Sequence, residues 1–176
     1  WPERFRAGAQ NQAGPLSALS VNAGFVSWDT SNTSNGFSTP ASDPAAHSAA
    51  VLDDLLEDRG LAIHRPAQAG IVPQDANIEL ARVESPPLRD IVAQMLTGSD
   101  NTTAELLIKS LAAAQASPGT SVGGTIALVA ALVGNGYASD GLVVNDGSGL
   151  DPGNLVTCRL MTHLLEDTEH GPDLLE

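Results

Sequence analysis

The spacing of apolar side chains changes character several times along the chain, and each change marks an expected element. Residues 14–28, "GPLSALSVNAGFVSW", alternate apolar and small side chains through Leu16, Ala18, Leu19, Val21, Phe25 and Val26. That period predicts one or two strands with a bend at Gly24. Residues 29–44 are rich in Ser, Thr and Asn and predict a loop. Asp43 followed by Pro44 is a helix start, with Ala45, Ala49, Leu52, Leu55 and Leu56 as the apolar stripe and Gly60 as the stop. "LAIHR" and "GIV" read as short extended pieces. "NIELARVES", residues 77–85, alternates as a strand does before Pro86-Pro87 breaks the chain.

A helix is expected from about Leu88 to Thr97, with Leu88, Ile91, Val92, Met95 and Leu96 on one face and Gly98 closing it. The next helix is expected just after Asn101. There Thr102-x-x-Glu105 has the capping-box pattern, and Ala104, Leu107, Ile108 and Leu111 make the inner stripe. Ser110 to Ser139 carries no charge, but the unbroken apolar run from Ile126 to Val133 is far short of the roughly 20 residues a membrane span requires. It reads as a buried helix over 122–134. "GLVVNDGSGLD", residues 141–151, predicts a short strand entering a glycine-rich turn, and Thr157 opens a last helix through about Asp167. The order predicts a layered α+β or α/β domain, helical at its centre.

Composition narrows the partners. Only 3% of the 176 residues are aromatic, so packing must rest on Ala, Val, Leu and Ile. The net charge of -13 would repel phosphate backbones and anionic headgroups, which argues against nucleic-acid and membrane-surface binding. Cys158 is the single cysteine, which excludes an internal disulfide. His47, His64, His163 and His170 never fall into a metal-ligand spacing, so neither a metal nor any other cofactor is expected. The opening "WPERFRAGAQ" is not a signal peptide and reads as the interior of a longer precursor.

Ser99-Asp100-Asn101 can be read as a polar link whose side chains satisfy free N–H groups at a helix start. Its surroundings favour another reading. "SPPLRDIVAQMLTGSDNTTAELLIKSLA" resembles the active-site helix pair of the type-4 penicillin-binding proteins, the serine-type D-alanyl-D-alanine carboxypeptidases and endopeptidases of peptidoglycan. In that family a "PL" precedes one helix, S-D-N ends it, and "A-E/D" opens the next. Here these stand as Pro87-Leu88, Ser99-Asp100-Asn101 and Ala104-Glu105. Downstream, Asp146-Gly147-Ser148-Gly149-Leu150 and then Asn154-Leu155 match the family's D-G-S-G-L turn and N-L pair. The resemblance spans residues 14–165. It implies an α+β fold of the penicillin-binding protein and β-lactamase-like transpeptidase type, a helical cluster with a partial antiparallel sheet, incomplete at both ends. Residues 1–42 would be a strand-rich segment and polar loop leading back from the family's insertion, and residues 43–176 part of the catalytic domain.

Such enzymes combine S-x-x-K, S-x-N and K-[ST]-G. By resemblance, Ser99 would hydrogen-bond the lysine of the first motif and relay a proton to the leaving D-alanine. Asn101 would hold a substrate carbonyl, and Asp100 would face away and hold the turn. Asp146 and Ser148 would border the substrate, with Asp146 either tying the turn to the cleft wall or serving the turn alone. The only lysine, Lys109, follows Leu106 at the third position before it and precedes Ser110-Leu111, so neither S-x-x-K nor K-[ST]-G is present. The expectation is an interior piece of a carboxypeptidase, inactive by itself.

The implied partners are peptidoglycan stem peptides and, as inhibitors, β-lactams, in a periplasmic or extracellular, wall-associated setting. Oligomeric state is not legible. The alternative is a non-catalytic peptidoglycan-binding module that keeps the cleft without the catalytic motifs. A third reading, an esterase with Ser148 as nucleophile, suffers from Asp146 standing where G-x-S-x-G needs glycine. Asn101-Thr102-Thr103 fits the N-glycosylation pattern, which would be accidental in a bacterial wall enzyme. His163, beside Leu160, Leu164 and Leu165, reads as a half-buried packing residue, and Asp53, Asp54, Glu57 and Asp58 as the wet face of their helix.

Overall fold

In a computed structural model, residues 12–27, 39–73, 75–76 and 78–167 are described. The chain divides into two compact units between Pro87 and Leu88. Most of the loop expected at 29–44 lies outside the described residues, as do the first eleven residues and the last nine.

The first unit holds two short antiparallel strands, β1 (Phe25–Ser27) and β2 (Thr39–Pro40), paired Phe25 with Pro40 and Ser27 with Thr39 across an irregular register. A 3-10 turn at Asn22–Gly24 leads into β1, and Gly24 supplies the expected bend at φ +84°. Phe25 and Ala41 are buried, and the Ala41 N–H donates to the Gly24 carbonyl at 2.9 Å. Helix α1 (Pro44–Glu57) starts as expected, with the Asp43 carboxylate accepting from the Ala46 N–H at 2.9 Å and Pro44 in the first turn. Leu52 and Leu55 of its stripe are exposed.

Residues 78–85 do not form the expected strand. Ile78, Leu80 and Val83 are 80%, 93% and 96% exposed. Alternation marks a chain that can be a strand, but a ladder needs a neighbour for its N–H and C=O groups. None pairs with this segment among the described residues.

The second unit is helical: α2 (Leu88–Gly98), α3 (Asn101–Ala114), α4 (Ser121–Gly134) and α5 (Cys158–Glu166). Together with the antiparallel pair they make the chain α+β. Its centre is the contact of α3 with α4, where Ile108, Ala112 and Ala127 are buried. Small side chains let the two helices approach closely, the solution expected of a chain poor in aromatics. Helix α4 is not the buried helix its charge-free sequence suggests. Its inner face is buried at Gly124, Thr125 and Ala127, while Val122, Ile126 and Val133 are exposed by 54–65%. No helix among the described residues is long and apolar enough to cross a membrane.

Four helices end in the same way. In α1, α2, α3 and α4 a residue with left-handed backbone follows the helix, and two N–H groups reach back to the last turn's carbonyls. Gly60 and Gly136 take that position after α1 and α4. After α2 and α3 it falls to Ser99 and Ala116, at φ +52° and +55°.

Candidate functional site

Gly98 does not close α2 by itself: it remains helical, and the left-handed step is taken one residue later, by Ser99. The Asp100 N–H donates to the Met95 carbonyl at 2.9 Å and the Ser99 N–H to that of Leu96 at 3.4 Å. A left-handed backbone costs an L-residue roughly 1–2 kcal/mol that glycine would not incur. The neighbouring glycine is one position too early to relieve it. The Ser99 side chain is exposed.

Asp100 then starts α3. Its Oδ1 accepts from the Thr103 N–H at 3.0 Å and its Oδ2 from the Thr103 hydroxyl at 2.6 Å. The carboxylate also faces the positive end of the helix dipole. So Asp100 is turned into the helix start, as the resemblance implies, and Ser99 and Asn101 flank it. Asn101 is the first residue of α3 and is half-buried. The helix begins at Asn101 rather than after it, and Asp100 rather than Thr102 is its cap.

That shift of one residue removes the expected capping box. Glu105 does not reach back to the helix start; it is fully buried and points across to the glycine-rich turn. Its Oε1 accepts from the Gly147 N–H at 3.1 Å, the Ser148 N–H at 3.0 Å and the Ser148 hydroxyl at 2.7 Å. The turn lies so close to α3 that a Cβ on Gly147 would stand 2.6 Å from the Ala104 carbonyl oxygen. The D-G-S-G-L turn is therefore docked on the first turns of α3, and the residue that docks it is one the capping-box reading assigned elsewhere. Thr102, Glu105, Ile108 and Ala112 form the most buried face, one step round from the Ala104, Leu107, Ile108, Leu111 stripe. Full burial of a carboxylate there is sustained by three donors meeting it.

Asp146 holds the turn from within. It is buried, and its oxygens accept from the Gly149 N–H at 2.8 Å, the Asp151 N–H at 2.6 Å and the Asn154 side-chain amide at 2.7 Å. Asn154 in turn accepts from the Asn145 N–H at 2.7 Å. An antiparallel bridge between Val143 and Leu155, with N–H to carbonyl distances of 2.8 and 2.9 Å, closes the loop's base. The Asn-Leu pair matched by sequence thus fastens the same loop as the aspartate. The Ser148 hydroxyl is committed to Glu105, an acceptor that already takes two amide N–H bonds.

Helix α5 is capped by the Thr157 hydroxyl, which accepts from the Leu160 N–H at 3.2 Å. The Tyr137 hydroxyl donates to Asp167. His163 is exposed rather than half-buried, its ring edge-on to Tyr137 at 5.0 Å between centroids.

Comparison with known proteins gives a family match that spans both segments. The model of the D-Ala-D-Ala carboxypeptidase 3 (S13) family matches residues 14–176. A D-alanyl-D-alanine carboxypeptidase of an Actinomadura species is 37% identical over 133 residues, which cover 74% of this chain and 24% of that protein. The D-alanyl-D-alanine carboxypeptidase DacB of Haemophilus influenzae is 28% identical over 141 residues, 80% of this chain and 29% of its own length. The chain spans about a quarter of the length of these curated relatives. With a family match running from the first predicted strand past α5, this chain belongs to the D-Ala-D-Ala carboxypeptidase 3 (S13) family.

Proposed function

We propose that Ser99 and Asn101 form one wall of the acyl-transfer site of a serine-type D-alanyl-D-alanine carboxypeptidase or endopeptidase acting on peptidoglycan stem peptides. The protein would work outside the cytoplasm, at the cell wall. In this reading a serine and its lysine partner, neither belonging to residues 1–176, supply the nucleophile. The serine oxygen adds to the penultimate D-alanine carbonyl while its proton passes to the lysine amine. Collapse of the tetrahedral adduct breaks the peptide bond. The departing amine takes a proton relayed through the Ser99 hydroxyl, and water later hydrolyses the ester. Asn101 donates its side-chain amide to a carbonyl of the bound peptide and fixes the scissile bond, an orientation effect that can supply several powers of ten. β-Lactams would acylate the same serine.

The observation that carries the reading is the conformation of Ser99. A serine occupies the left-handed position at the end of α2 although a glycine stands beside it, and Asp100 is consumed as a cap. Strain of this kind clusters at active sites, and where Ala116 takes the same backbone after α3, Ser99 adds a hydroxyl able to relay a proton. The experiment is labelling of the full-length gene product with a fluorescent penicillin. Labelling of the wild type, lost or slowed at least about tenfold in Asn101→Ala, is the expected result. An Asn101→Ala protein labelled at the wild-type rate would remove that residue from the mechanism. A wild type that takes up no label but retains peptidoglycan would establish the binding-module alternative.

A further inference from the structure

Two carboxylates are buried among the described residues, Asp146 and Glu105, and they differ in what they accomplish. The bonds of Asp146 stay within residues 146–154. Those of Glu105 cross to the turn 42 and 43 positions further along the chain. Glu105 is 0% exposed, its Oε1 accepts all three bonds, and its Oε2 is buried with no partner among the described residues. A leucine in its place would bury as much surface without removing a charged group from water, so this carboxylate is a poor choice for stability alone. What it supplies is position. Three donors converging on one oxygen fix the turn in both translation and rotation, and the Gly147 contact with Ala104 leaves no slack between turn and helix.

Glu105 also stands four residues after Asn101 in α3, and residues so spaced share a helix face. The turn therefore bears on the same side of the helix that carries Asn101, one helical turn away.

We infer that Glu105 is a positioning residue for the Ser99–Asn101 wall: its buried carboxylate clasps the Gly147–Ser148 turn to α3 and holds the start of that helix in the orientation from which Asn101 meets the substrate. This rests on the function proposed above. Ser148 then belongs to the clasp and not to bond making. A shift of about 1 Å in an orienting group can cost on the order of a hundredfold in rate, so a partial loosening is readable.

The test uses the full-length gene product with Glu105→Leu and Ser148→Ala. It measures amide hydrogen exchange at residues 147 and 148 together with the limiting rate and half-saturation of penicillin acylation. Glu105→Leu keeps most of the buried bulk but removes the oxygen that accepts all three bonds. Exchange at both amides should quicken about tenfold or more, and the limiting acylation rate should fall about tenfold with half-saturation nearly unchanged. Ser148→Ala removes one bond of three, and a two- to threefold effect on both readouts is expected. Unchanged exchange in both variants overturns the clasp. Faster exchange with acylation reduced only in step with the folded fraction overturns the positioning role. If Glu105→Leu does not fold, Ser148→Ala decides alone, and no change in either of its readouts refutes the inference. A wild type that takes no penicillin sinks the proposed function and the catalytic consequence with it, while the exchange arm still decides the clasp.

Discussion

Gly124 of α4 rests against the backbone of Ile108 in α3, so close that a Cβ built on it would stand 1.9 Å from the Ile108 carbonyl oxygen. No side-chain rearrangement can clear a backbone atom. Gly124→Ala should therefore destabilise the protein by about 1–3 kcal/mol, even though alanine in mid-helix is worth about 1 kcal/mol over glycine. Urea unfolding of wild type and variant checks this; equal or greater stability in the variant would mean that the two helices are further apart than described.

Ser99 gives an opposite expectation for stability and activity. Ser99→Gly relieves the left-handed backbone and should raise stability by up to about 1 kcal/mol. It also removes the hydroxyl given the proton relay, so penicillin acylation should slow by about tenfold or more. Thermal unfolding and acylation kinetics on one preparation separate the two effects. Full acylation in the variant would return Ser99 to the role of a turn residue.

Asp100 can be judged by its cap. Asp100→Ala leaves the Thr103 N–H and hydroxyl without their acceptor and should cost about 0.5–2 kcal/mol. Asp100→Asn, which still offers an oxygen, should recover most of it. A loss shared equally by both variants would point to the charge and not to the hydrogen bonds.

Asp146→Ala should cost about 2–3 kcal/mol, because it strands three donors inside the loop. The Glu105 clasp takes the Gly147 and Ser148 N–H groups instead, so the effect should appear first as faster amide exchange at Gly149 and Asp151. Protection unchanged at those two amides would show that the loop is held by the Val143–Leu155 bridge instead.

Helix positions were legible because their signals are local. Asp43-Pro44, Thr157 and the apolar stripes place α1, α5 and the central helices within a residue or two. The failures share a cause, which is that contacts made far along the chain leave no local trace. Thr102-x-x-Glu105 has the spacing of a capping box, but three donors from residues 147 and 148 draw the glutamate away. The uncharged run of α4 looks buried on every side, yet α3 covers one face of it. The alternation at 78–83 is that of a strand without a neighbour among the described residues. At the candidate site the S-D-N and D-G-S-G-L motifs were readable as separate matches. Their docking through Glu105 was not, although a glutamate at helical spacing from Ile108 and Ala112 is the signal that could have raised it.

The junction of α2 and α3 has a consequence for how this sequence can vary in length. Only Ser99 and Asp100 separate the two helices, and each is committed, one to ending the first and one to starting the second. A single added residue has no slack to disappear into and would be absorbed by winding, turning every later side chain of α3 by about 100° about the axis. Asn101 and Glu105 would swing away together. Insertions and deletions at this point should be far more damaging than most substitutions on either side of it.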